Sequence, residues 1–302
     1  MLCILGAAIS IQMEAGREAK ARGMVASGQR TTTGSTPPKV TGILWSADFE
    51  TGDLSQWYVA ARSKANARGR GGGIFNSGIA ESVPSQDFAH SGSWSLKATI
   101  TTPHVPTSGV RLFRWRESQD ETYLGSGLYY SAWFYFPKLY RLTADPRRGR
   151  FWNIFQFKSK TSRNIDPFWY VDVANRVPDG AMYVTLHWWD GLAIGGPHPG
   201  EFGGRRYAQD VKDIPVGRWT HIEAYLKQAS DFTGEIAIWQ DGVLLFDQRN
   251  VKTKYPSGDN QWSVNNYSDG LTPNPATIYI DDAGIRKDRT LASVVAPAHE
   301  PE

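Results

Sequence analysis

Apolar and polar residues alternate in short runs along most of the chain, beginning at residue 42. A period of two residues is typical of a β-strand with one face in a core and the other in water. Turn-forming residues separate the runs, and Asp241-Gly242 between two apolar runs predicts a tight hairpin. The pattern predicts strands over residues 43–49, 94–100, 109–117, 127–137, 151–160, 168–175, 181–189, 219–227, 234–242, 243–248 and 276–285.

The ordered part of the sequence has no run of ten or more residues with the period of an amphipathic helix. About a dozen short strands at close spacing are typical of a sandwich or a barrel. We find no internal repeat and no second linker. The sequence therefore predicts one all-β domain over residues 42–288, followed by a frayed tail over residues 289–302.

One predicted strand, FWNIFQFKSK at residues 151–160, combines a face for the core with a polar face for solvent. Alternation predicts that one set of side chains lies in the core: Phe151, Asn153, Phe155 and Phe157. The other set would lie on the opposite face: Trp152, Ile154, Gln156, Lys158 and Lys160. This second face places an indole, an amide and two ammonium groups in a row. Such a row predicts that the strand forms the floor of a binding groove. An exposed sheet face that carries lysines fits the same pattern.

Composition adds four observations to this picture. The 302 residues are 40% apolar and 21% charged, which is enough for a real core and excludes a disordered chain. A net charge of +3 is weak evidence for a polyanionic partner, so we expect no nucleic acid partner. Twelve tryptophans and thirteen tyrosines favour sugar binding, because aromatic-rich β proteins often stack sugar rings. Cys3 is the only cysteine, which excludes an intrachain disulfide and a cysteine-based metal site.

The N-terminal run MLCILGAAIS is apolar but too short to span a bilayer. It is similar to the apolar region of a secretory signal, although no basic segment precedes it, and a gene-start artefact is the alternative. Residues 11–40 are rich in small and polar residues and predict a disordered linker. We therefore expect a signal-like segment and linker over residues 1–41 and a secreted protein, extracellular or periplasmic. We also expect no membrane-spanning segment and a monomer.

Several motifs, in their order along the chain, resemble a known family. The opening ADFETGDLSQW, then HSGSWSLKA and the closing IYIDDAGI resemble the frame of concanavalin-like jelly rolls, whose first and last strands pair near the chain ends. The motifs GVRLFRWRE, YYSAWFYFP, WNIFQFK, VGRWTHIEAYLKQASDFTGEIAIWQDG and WSVNNYSDG are similar to polysaccharide lyases of the heparin lyase I type. The resemblance spans nearly the whole ordered domain. It implies a β-jelly-roll sandwich of two antiparallel sheets, of the concanavalin A-like lectin/glucanase type.

The resemblance also implies a reaction, the cleavage of an acidic, uronic-acid-containing polysaccharide by β-elimination. This reaction needs a group that neutralises the uronate carboxylate, a base for the C5 proton and an acid for the departing oxygen. By resemblance, Tyr267 in WSVNNYSDG is the catalytic tyrosine, and Gln156 binds the substrate. Asn265, in the same motif as Tyr267, is a further predicted substrate contact. An ordinary loop tyrosine is the alternative for Tyr267.

Two more residues are candidates for the proton transfer. Lys158 stands where related sequences can carry a histidine, and a lysine acts as a base only where desolvation or nearby cations lower its pKa. A charged Lys158 would instead hold the uronate carboxylate. His187 shares one face of AMYVTLHWW with Tyr183 and Thr185. A polar face of this kind suits the floor of a groove. A histidine that only forms hydrogen bonds on the outer side of the sheet fits the sequence equally well. His104, in a proline-rich loop, is a weaker candidate.

Arginines and aromatic residues supply the remaining predicted substrate contacts. Arginine binds carboxylate or sulfate bidentately, so the strand 109–117 predicts subsites for an acidic glycan, and a solvated edge strand is the alternative. Tyr170 and Asp172 share a face that extends the same groove, and Asp172 could equally pair with an arginine. The predicted set of further contacts is Arg111, Arg114, Arg116, Tyr170, Tyr183 and Trp152.

Acidic residues near both ends of the domain resemble the structural calcium site of jelly-roll carbohydrate modules. Calcium takes six to eight oxygen ligands, which clustered carboxylates and loop carbonyls supply. The acids in question are Asp48, Glu50, Asp53, Asp281 and Asp282, with Asp48, Glu50 and Asp281 as the predicted ligands. A bound calcium would pin the chain ends, away from catalysis. Acids that merely cap turns are the alternative.

Other functions fit the sequence less well. A retaining glycoside hydrolase needs two carboxylates about 5 Å apart. On a strand, this distance requires acids at alternate positions, and the acids of ESQDE, residues 117–121, have the wrong spacing. His221 and Glu223 form an H-x-E string without the cysteines of a zinc deaminase. A non-catalytic carbohydrate-binding domain remains the main alternative, because the fold and the aromatic content fit it equally well.

Overall fold

The computed structural model of the chain describes residues 42–57, 72–102, 107–115, 127–143, 151–160, 165–189, 196–201, 203–256 and 259–289. The strands in these residues are β1 (Ile43–Ala47), β2 (Gly72–Ser77), β3 (Ile79–Ser85), β4 (Ser95–Thr101), β5 (Ser108–Trp115), β6 (Leu128–Tyr135), β7 (Arg141–Leu142), β8 (Trp152–Lys160), β9 (Ile165–Asn175), β10 (Met182–Trp188), β11 (Arg205–Tyr207), β12 (Trp219–Lys227), β13 (Gly234–Gln240), β14 (Val243–Val251), β15 (Asp259–Ser268), β16 (Leu271–Thr272) and β17 (Ala276–Arg286). The predicted signal-like segment with its linker and nearly all of the predicted tail lie outside the described residues.

The strands form two large antiparallel sheets. We call the seven-stranded sheet, in the order β11-β10-β9-β8-β15-β5-β2, the front sheet. The back sheet has the order β14-β13-β12-β6-β17-β4-β3, with β1 paired to β17 as its eighth strand. The described residues contain one 3-10 turn, Ser55–Trp57, and no helix long and apolar enough to cross a membrane. The predicted all-β jelly-roll sandwich of two antiparallel sheets is confirmed.

The first and last strands of the domain pair, as the resemblance implies. In the ladder between β1 and β17, Ala47 lies opposite Ala283 and Ser46 lies opposite Gly284. These partners come from opposite ends of the described domain. This pairing brings the two ends of the described domain together at the C-terminal part of β17, which is an inner strand of the back sheet.

The core between the sheets combines aliphatic side chains with large aromatic ones. Trp57, Trp152 and Phe134 are fully buried there. One polar side chain also crosses this core, because the Asn266 amide nitrogen donates to the carbonyl oxygens of Ala98 and Ala276 at 2.9 and 3.1 Å. The Asn266 amide oxygen in turn accepts from the Trp152 indole nitrogen at 2.9 Å. A buried amide with all these partners stabilises the sandwich rather than weakening it.

A β-bulge in β8 changes which of its side chains face outward. Asn153 lies opposite Asp172 on β9, and the next residue of β8 in register is Phe155 rather than Ile154. Ile154 and Phe155 therefore both lie in the core, and Asn153 and Gln156 share the outer face. The alternation predicted for this strand is wrong from its start to Ile154 and correct from Phe155 onward, because a bulge adds one residue to the two-residue period.

Candidate functional site

The face of the front sheet that is turned away from the core, here the front face, carries polar and aromatic side chains across five strands. Residues directly opposite each other on neighbouring strands point to the same side of a sheet, so the register assigns this face. One row, from β10 to β5, is His187, Tyr170, Gln156, Ser263 and Phe113. The neighbouring row is Thr185, Asp172, Asn153, Tyr267 and Gly109.

Tyr267 lies against the sheet between a glycine and an arginine. A Cβ atom at Gly109 would come within 2.5 Å of the Tyr267 ring, so only glycine leaves room for the ring there. The Arg111 guanidinium lies 3.9 Å from the centre of that ring, and the Phe151 ring is 4.8 Å away. The Arg111 Nε atom is buried and has no hydrogen-bond partner in the described part of the chain. A cation held at this position stabilises negative charge on the phenolic oxygen as it forms.

Three amides meet at the centre of the front face. The Asn265 amide nitrogen donates to the Asn153 oxygen at 2.5 Å and lies 3.5 Å from the Gln156 oxygen. All three side chains are at least 97% buried, and the Asn265 oxygen has no partner among the described residues. The amide cluster of Asn153, Gln156 and Asn265 thus contains donors and acceptors that protein partners do not fully use. Amide groups of this kind bind the carboxylate or a hydroxyl group of a sugar where a ligand can reach them.

Asp172 lies beside the amide cluster, deep in the sheet. The Asn153 amide nitrogen donates to its Oδ1 atom at 3.1 Å. The side chain is almost fully buried, and this burial raises the pKa of Asp172 to about 7, with Asn153 and Arg206 opposing the shift. A carboxylate that changes charge near neutral pH inside a polar cluster is typical of a functional site.

His187 lies on the other side of Asp172. Its Nε2 atom is 3.0 Å from Thr185 Oγ1 and 3.8 Å from Asp172 Oδ2. Burial, together with the charge of Arg206, lowers the pKa of His187 to about 4. At neutral pH the imidazole is therefore uncharged, so the 3.8 Å approach to Asp172 is a contact with a neutral histidine rather than an ion pair. The His187 ring also stacks on Tyr170 with 5.0 Å between ring centres.

The structure brings most of the predicted site residues to this one face. Lys158 lies half-buried opposite Gln261, two residues along β8 from Gln156. Tyr183 accepts a hydrogen bond from Arg206 at 3.3 Å. The other predicted residues on the front face are Tyr267, His187, Gln156, Arg111, Tyr170 and Asn265.

Two predicted substrate contacts are wrong. Trp152 is fully buried in the core and donates to Asn266, because the bulge places it on the inner side of β8. Arg114 shares its face with Leu112, which is the core side of β5, and its guanidinium lies 4.7 Å from the Trp45 ring of β1. Neither side chain reaches the front face. Arg116 and His104 lie outside the described residues.

Sequence reasoning missed two residues of this face. Asn153 was assigned to the core, although an asparagine between two apolar neighbours on a supposed core face is itself a signal of a break in the alternation. Arg206 of β11 lies opposite His187, and no strand was predicted around it. Residues 205–207 form a three-residue edge strand with two arginines, which carries no apolar alternation to detect.

The acids of the predicted calcium site lie around the loop before β4 and do not form a side-chain metal site. Glu50 Oε1 accepts from the backbone nitrogens of Ser93 and Trp94 at 2.8 Å each. Asp281 Oδ2 accepts from the His90 nitrogen at 2.8 Å, and burial raises the Asp281 pKa to about 7. Within the described residues, no three His, Cys, Asp or Glu side chains are grouped to hold a metal ion. The Glu50 and Asp281 carboxylates thus hold the loop through hydrogen bonds to its backbone. The predicted calcium ligands Asp48, Glu50 and Asp281 are not grouped as a side-chain metal site in the described part of the chain.

A polar cavity of about 280 Å³ lies on the back sheet, near the same loop. Asp48, Trp133, His221, Asp282 and Arg286 are among the residues that line it. It shares no residue with the front face, where the amide cluster and the titratable groups meet. We therefore assign the candidate site to the front face.

The fold and the front face together define a jelly-roll protein with polar and aromatic side chains across one sheet face. Residues 49–284 match the family model described as Polysaccharide lyase. Because this match covers well over half of the chain, the chain belongs to the polysaccharide lyase family, and it is an enzyme of the lyase class.

Solved structures share the fold. The chain is similar to the endo-β-1,4-glucuronan lyase from the fungus Trichoderma reesei, with a TM-score of 0.59, 16% identity, and coverage of 82% of this chain and 96% of that chain. It is similar to the alginate lyase Aly36B, with a TM-score of 0.51, 15% identity, and coverage of 81% and 97%. Identities this low establish the common fold alone. A comparison with curated proteins finds no match.

Proposed function

We propose that this polysaccharide lyase cleaves a uronic-acid-containing polysaccharide by β-elimination at the front face. The observation that carries the proposal is the amide cluster with Tyr267 on one side and His187 on the other. The two solved structures described above are named as an endo-β-1,4-glucuronan lyase and an alginate lyase. The narrower resemblance to heparin lyase I stays a prediction from the sequence.

The amide cluster supports the first requirement of the reaction, neutralisation of the uronate carboxylate. The C5 proton becomes acidic only when the negative charge that develops next to it is stabilised. The Gln156 amide nitrogen has no protein partner among the described residues, so its two hydrogens are available to the carboxylate. Lys158 follows on the same face and adds positive charge. These groups bind the negative charge that develops in the transition state more tightly than they bind the carboxylate of the substrate in its ground state.

Tyr267 is the best-supported group for the proton transfer. It lies opposite Asn153 on the neighbouring strand, next to the amide cluster. As a phenolate it takes the C5 proton, the bond between C4 and its oxygen breaks, and the resulting phenol returns a proton to the departing oxygen. Arg111 stabilises the phenolate. His187, a neutral imidazole three strands from Tyr267, is the second candidate for the base.

The polymeric substrate also supports the predicted location of the enzyme. A polysaccharide does not cross a cell membrane, so we propose that the enzyme works outside the cytoplasm. This agrees with the signal-like apolar run in the first ten residues. A non-catalytic carbohydrate-binding domain remains the alternative, and the assay that ends the Discussion distinguishes the two.

Gly109→Ala should reduce turnover through Tyr267. The added Cβ would come within 2.5 Å of the ring and displace it from the amide cluster. A displacement of about 1 Å in a catalytic group costs roughly 100-fold in rate. We expect kcat to fall by about that factor while the KM changes little. Gly284→Ala is the control, because its Cβ meets its nearest atom at 3.6 Å, an ordinary contact. Equal rates for both variants would contradict this role of Gly109.

Glu50→Ala should lower thermal stability, whereas a chelator should not. The variant removes the acceptor of two backbone nitrogens, a loss of about 1–2 kcal/mol. For a domain of this size that lowers the Tm by roughly 2–8 °C in a calorimetric scan. EDTA should leave the wild-type Tm unchanged, because the carboxylates form a hydrogen-bonded clamp. A fall in Tm with EDTA that added calcium reverses would restore the calcium prediction.

A further inference from the structure

Three aromatic side chains are exposed in the part of the chain whose side chains the structure describes, and two of them belong to the front sheet. Phe75 on β2 is 53% exposed, and Trp189 just after β10 is 46% exposed. The third, Phe88, lies in the loop before β4 and stacks on Tyr135 of the back sheet. A single exposed aromatic ring needs no explanation. The positions of Phe75 and Trp189 relative to the candidate site carry the argument.

Phe75 lies at the β2 end of the front face. It is opposite Arg111 in the ladder between β2 and β5, so the two side chains point to the same side of the sheet. The Arg111 guanidinium lies 5.3 Å from the centre of the Phe75 ring and 3.9 Å from the centre of the Tyr267 ring. The Phe75 ring therefore continues the stack of Tyr267 and Arg111 toward the edge of the sheet, where it remains open to a ligand.

Trp189 lies at the opposite end of the front face. Its backbone nitrogen donates to the Phe168 oxygen at 3.1 Å, so the pairing with β9 continues beyond the end of β10. A Cβ atom at Gly204 would come within 3.0 Å of the Trp189 ring. Gly204 stands two residues before Arg206, which lies opposite His187, so Gly204 shares the front face with Arg206. The Trp189 ring that meets this position therefore lies on the front face too.

The candidate site lies between these two rings. The strands from one end to the other are β2, β5, β15, β8, β9 and β10, and their five spacings of about 4.8 Å put the rings roughly 24 Å apart along the sheet. Each ring also has an arginine on the same face, Arg111 at one end and Arg206 at the other. An aromatic ring offers flat apolar area to a sugar ring, and an arginine binds a carboxylate. This combination suits an acidic sugar at each end.

We propose that Phe75 and Trp189 are two outer platforms of the front face, on which an extended polyuronate chain lies with one sugar ring at each platform. This inference rests on the proposed function and adds the course of the substrate. The chain runs across the strands from β2 to β10, with Tyr267 and the amide cluster between the platforms. The sugar rings on the platforms do not react, so the platforms bind the substrate and the transition state equally. They therefore lower the KM for a long chain and leave kcat unchanged.

Phe75→Leu and Trp189→Leu test the platforms, because leucine keeps an apolar side chain but removes the flat ring. Steady-state kinetics are measured on the polyuronate that the wild type cleaves best. We expect the KM to rise about tenfold in each variant, as for one lost stacking contact. The double variant should show a rise of about 100-fold, since sites this far apart act independently. In all three variants kcat should stay within about twofold of wild type.

Two kinds of control accompany these variants. Phe75→Tyr and Trp189→Phe keep a flat ring and should retain a KM close to that of the wild type. Phe88→Leu changes the exposed aromatic residue that lies away from the front sheet, and it should leave KM and kcat unchanged. A uronic acid trisaccharide is too short to reach both rings. The gain in affinity from this trisaccharide to the polymer should therefore shrink in the double variant.

The outcomes separate this inference from the proposed function. If the wild type is active and the double variant keeps its KM within about threefold, the platforms are contradicted. A fall in kcat with an unchanged KM in Phe75→Leu would also overturn the inference, because Phe75 would then only hold Arg111 in place. If the wild type cleaves no polyuronate, the proposed function fails, and dissociation constants from calorimetry on alginate and glucuronan decide the inference alone. Binding about tenfold weaker in each leucine variant supports it, and equal binding, or no binding by the wild type, overturns it.

Discussion

Tyr267→Phe should abolish cleavage while the protein remains folded. Phenylalanine keeps the ring against Gly109 and under the Arg111 guanidinium, so local contacts persist. Only the phenolic oxygen is lost, and with it the group that takes the C5 proton and returns one to the leaving oxygen. General acid–base catalysis contributes about 10²- to 10⁴-fold, so we expect kcat to fall by at least about 10³-fold. The KM should change little, because Tyr267 acts on the transition state.

Initial rates on the polymer that the wild type cleaves best, together with a thermal scan, check this prediction. Tyr129→Phe is the matched control, because Tyr129 lies on β6 of the back sheet, where its ring packs at a tilt against Tyr225 with 5.1 Å between ring centres. It should keep the wild-type rate. Turnover of Tyr267→Phe above about a tenth of wild type would contradict the assignment and move the proton transfer to His187 or Lys158.

Gln156→Met should cause the second-largest loss. Methionine is close to glutamine in length but offers no amide hydrogens to the uronate carboxylate. Removing one donor that stabilises developing negative charge costs about 10²- to 10³-fold in kcat. Because Gln156 is buried, the apolar replacement should not lower the Tm by more than a few degrees. The expected signature is thus a large loss of kcat/KM in a stable protein.

The matched control is Gln248→Met on β14 of the back sheet, whose amide nitrogen donates to the backbone oxygen of Asp247. Steady-state kinetics of both variants are compared with wild type under one set of conditions. If Gln156→Met kept the wild-type kcat and only its KM rose, the Gln156 amide would bind the substrate and the transition state equally. That result would limit Gln156 to substrate binding.

The architecture could be predicted from the sequence because burial imposes a two-residue period. Strands β6, β8 to β10, β12 and β17 each have one apolar face, and the predicted ranges overlap all of them. The prediction fails for β15, which reads DNQWSVNNYS and has polar residues on both faces. Its core side includes Asn266, an amide that bonds across the sandwich, and no local pattern distinguishes such a strand from a loop. The alternation therefore predicts no strand around Tyr267.

The site could be predicted in part for a related reason. Residues on regular strands, such as His187 and Tyr170, were placed on the correct face by alternation. The bulge at Ile154 reversed the assignment of Trp152 and Asn153, since one extra residue moves every side chain before it to the other face. Asp172 could be placed on the face, but its raised pKa depends on burial by other strands. Tertiary contacts of this kind leave no trace in a local pattern.

The central claim, elimination at the front face, is tested most directly by the chemistry of the product. Purified protein is incubated with glucuronan, alginate, pectate and a heparin-type glycan, and the ultraviolet absorbance of the unsaturated uronate is followed. Mass spectrometry then identifies the new chain ends. The account predicts rising absorbance on at least one polyuronate, with ends that have lost water relative to hydrolysis products, and no such rise for Tyr267→Phe. Retention on a polyuronate without any unsaturated product would contradict it and identify a binding protein instead.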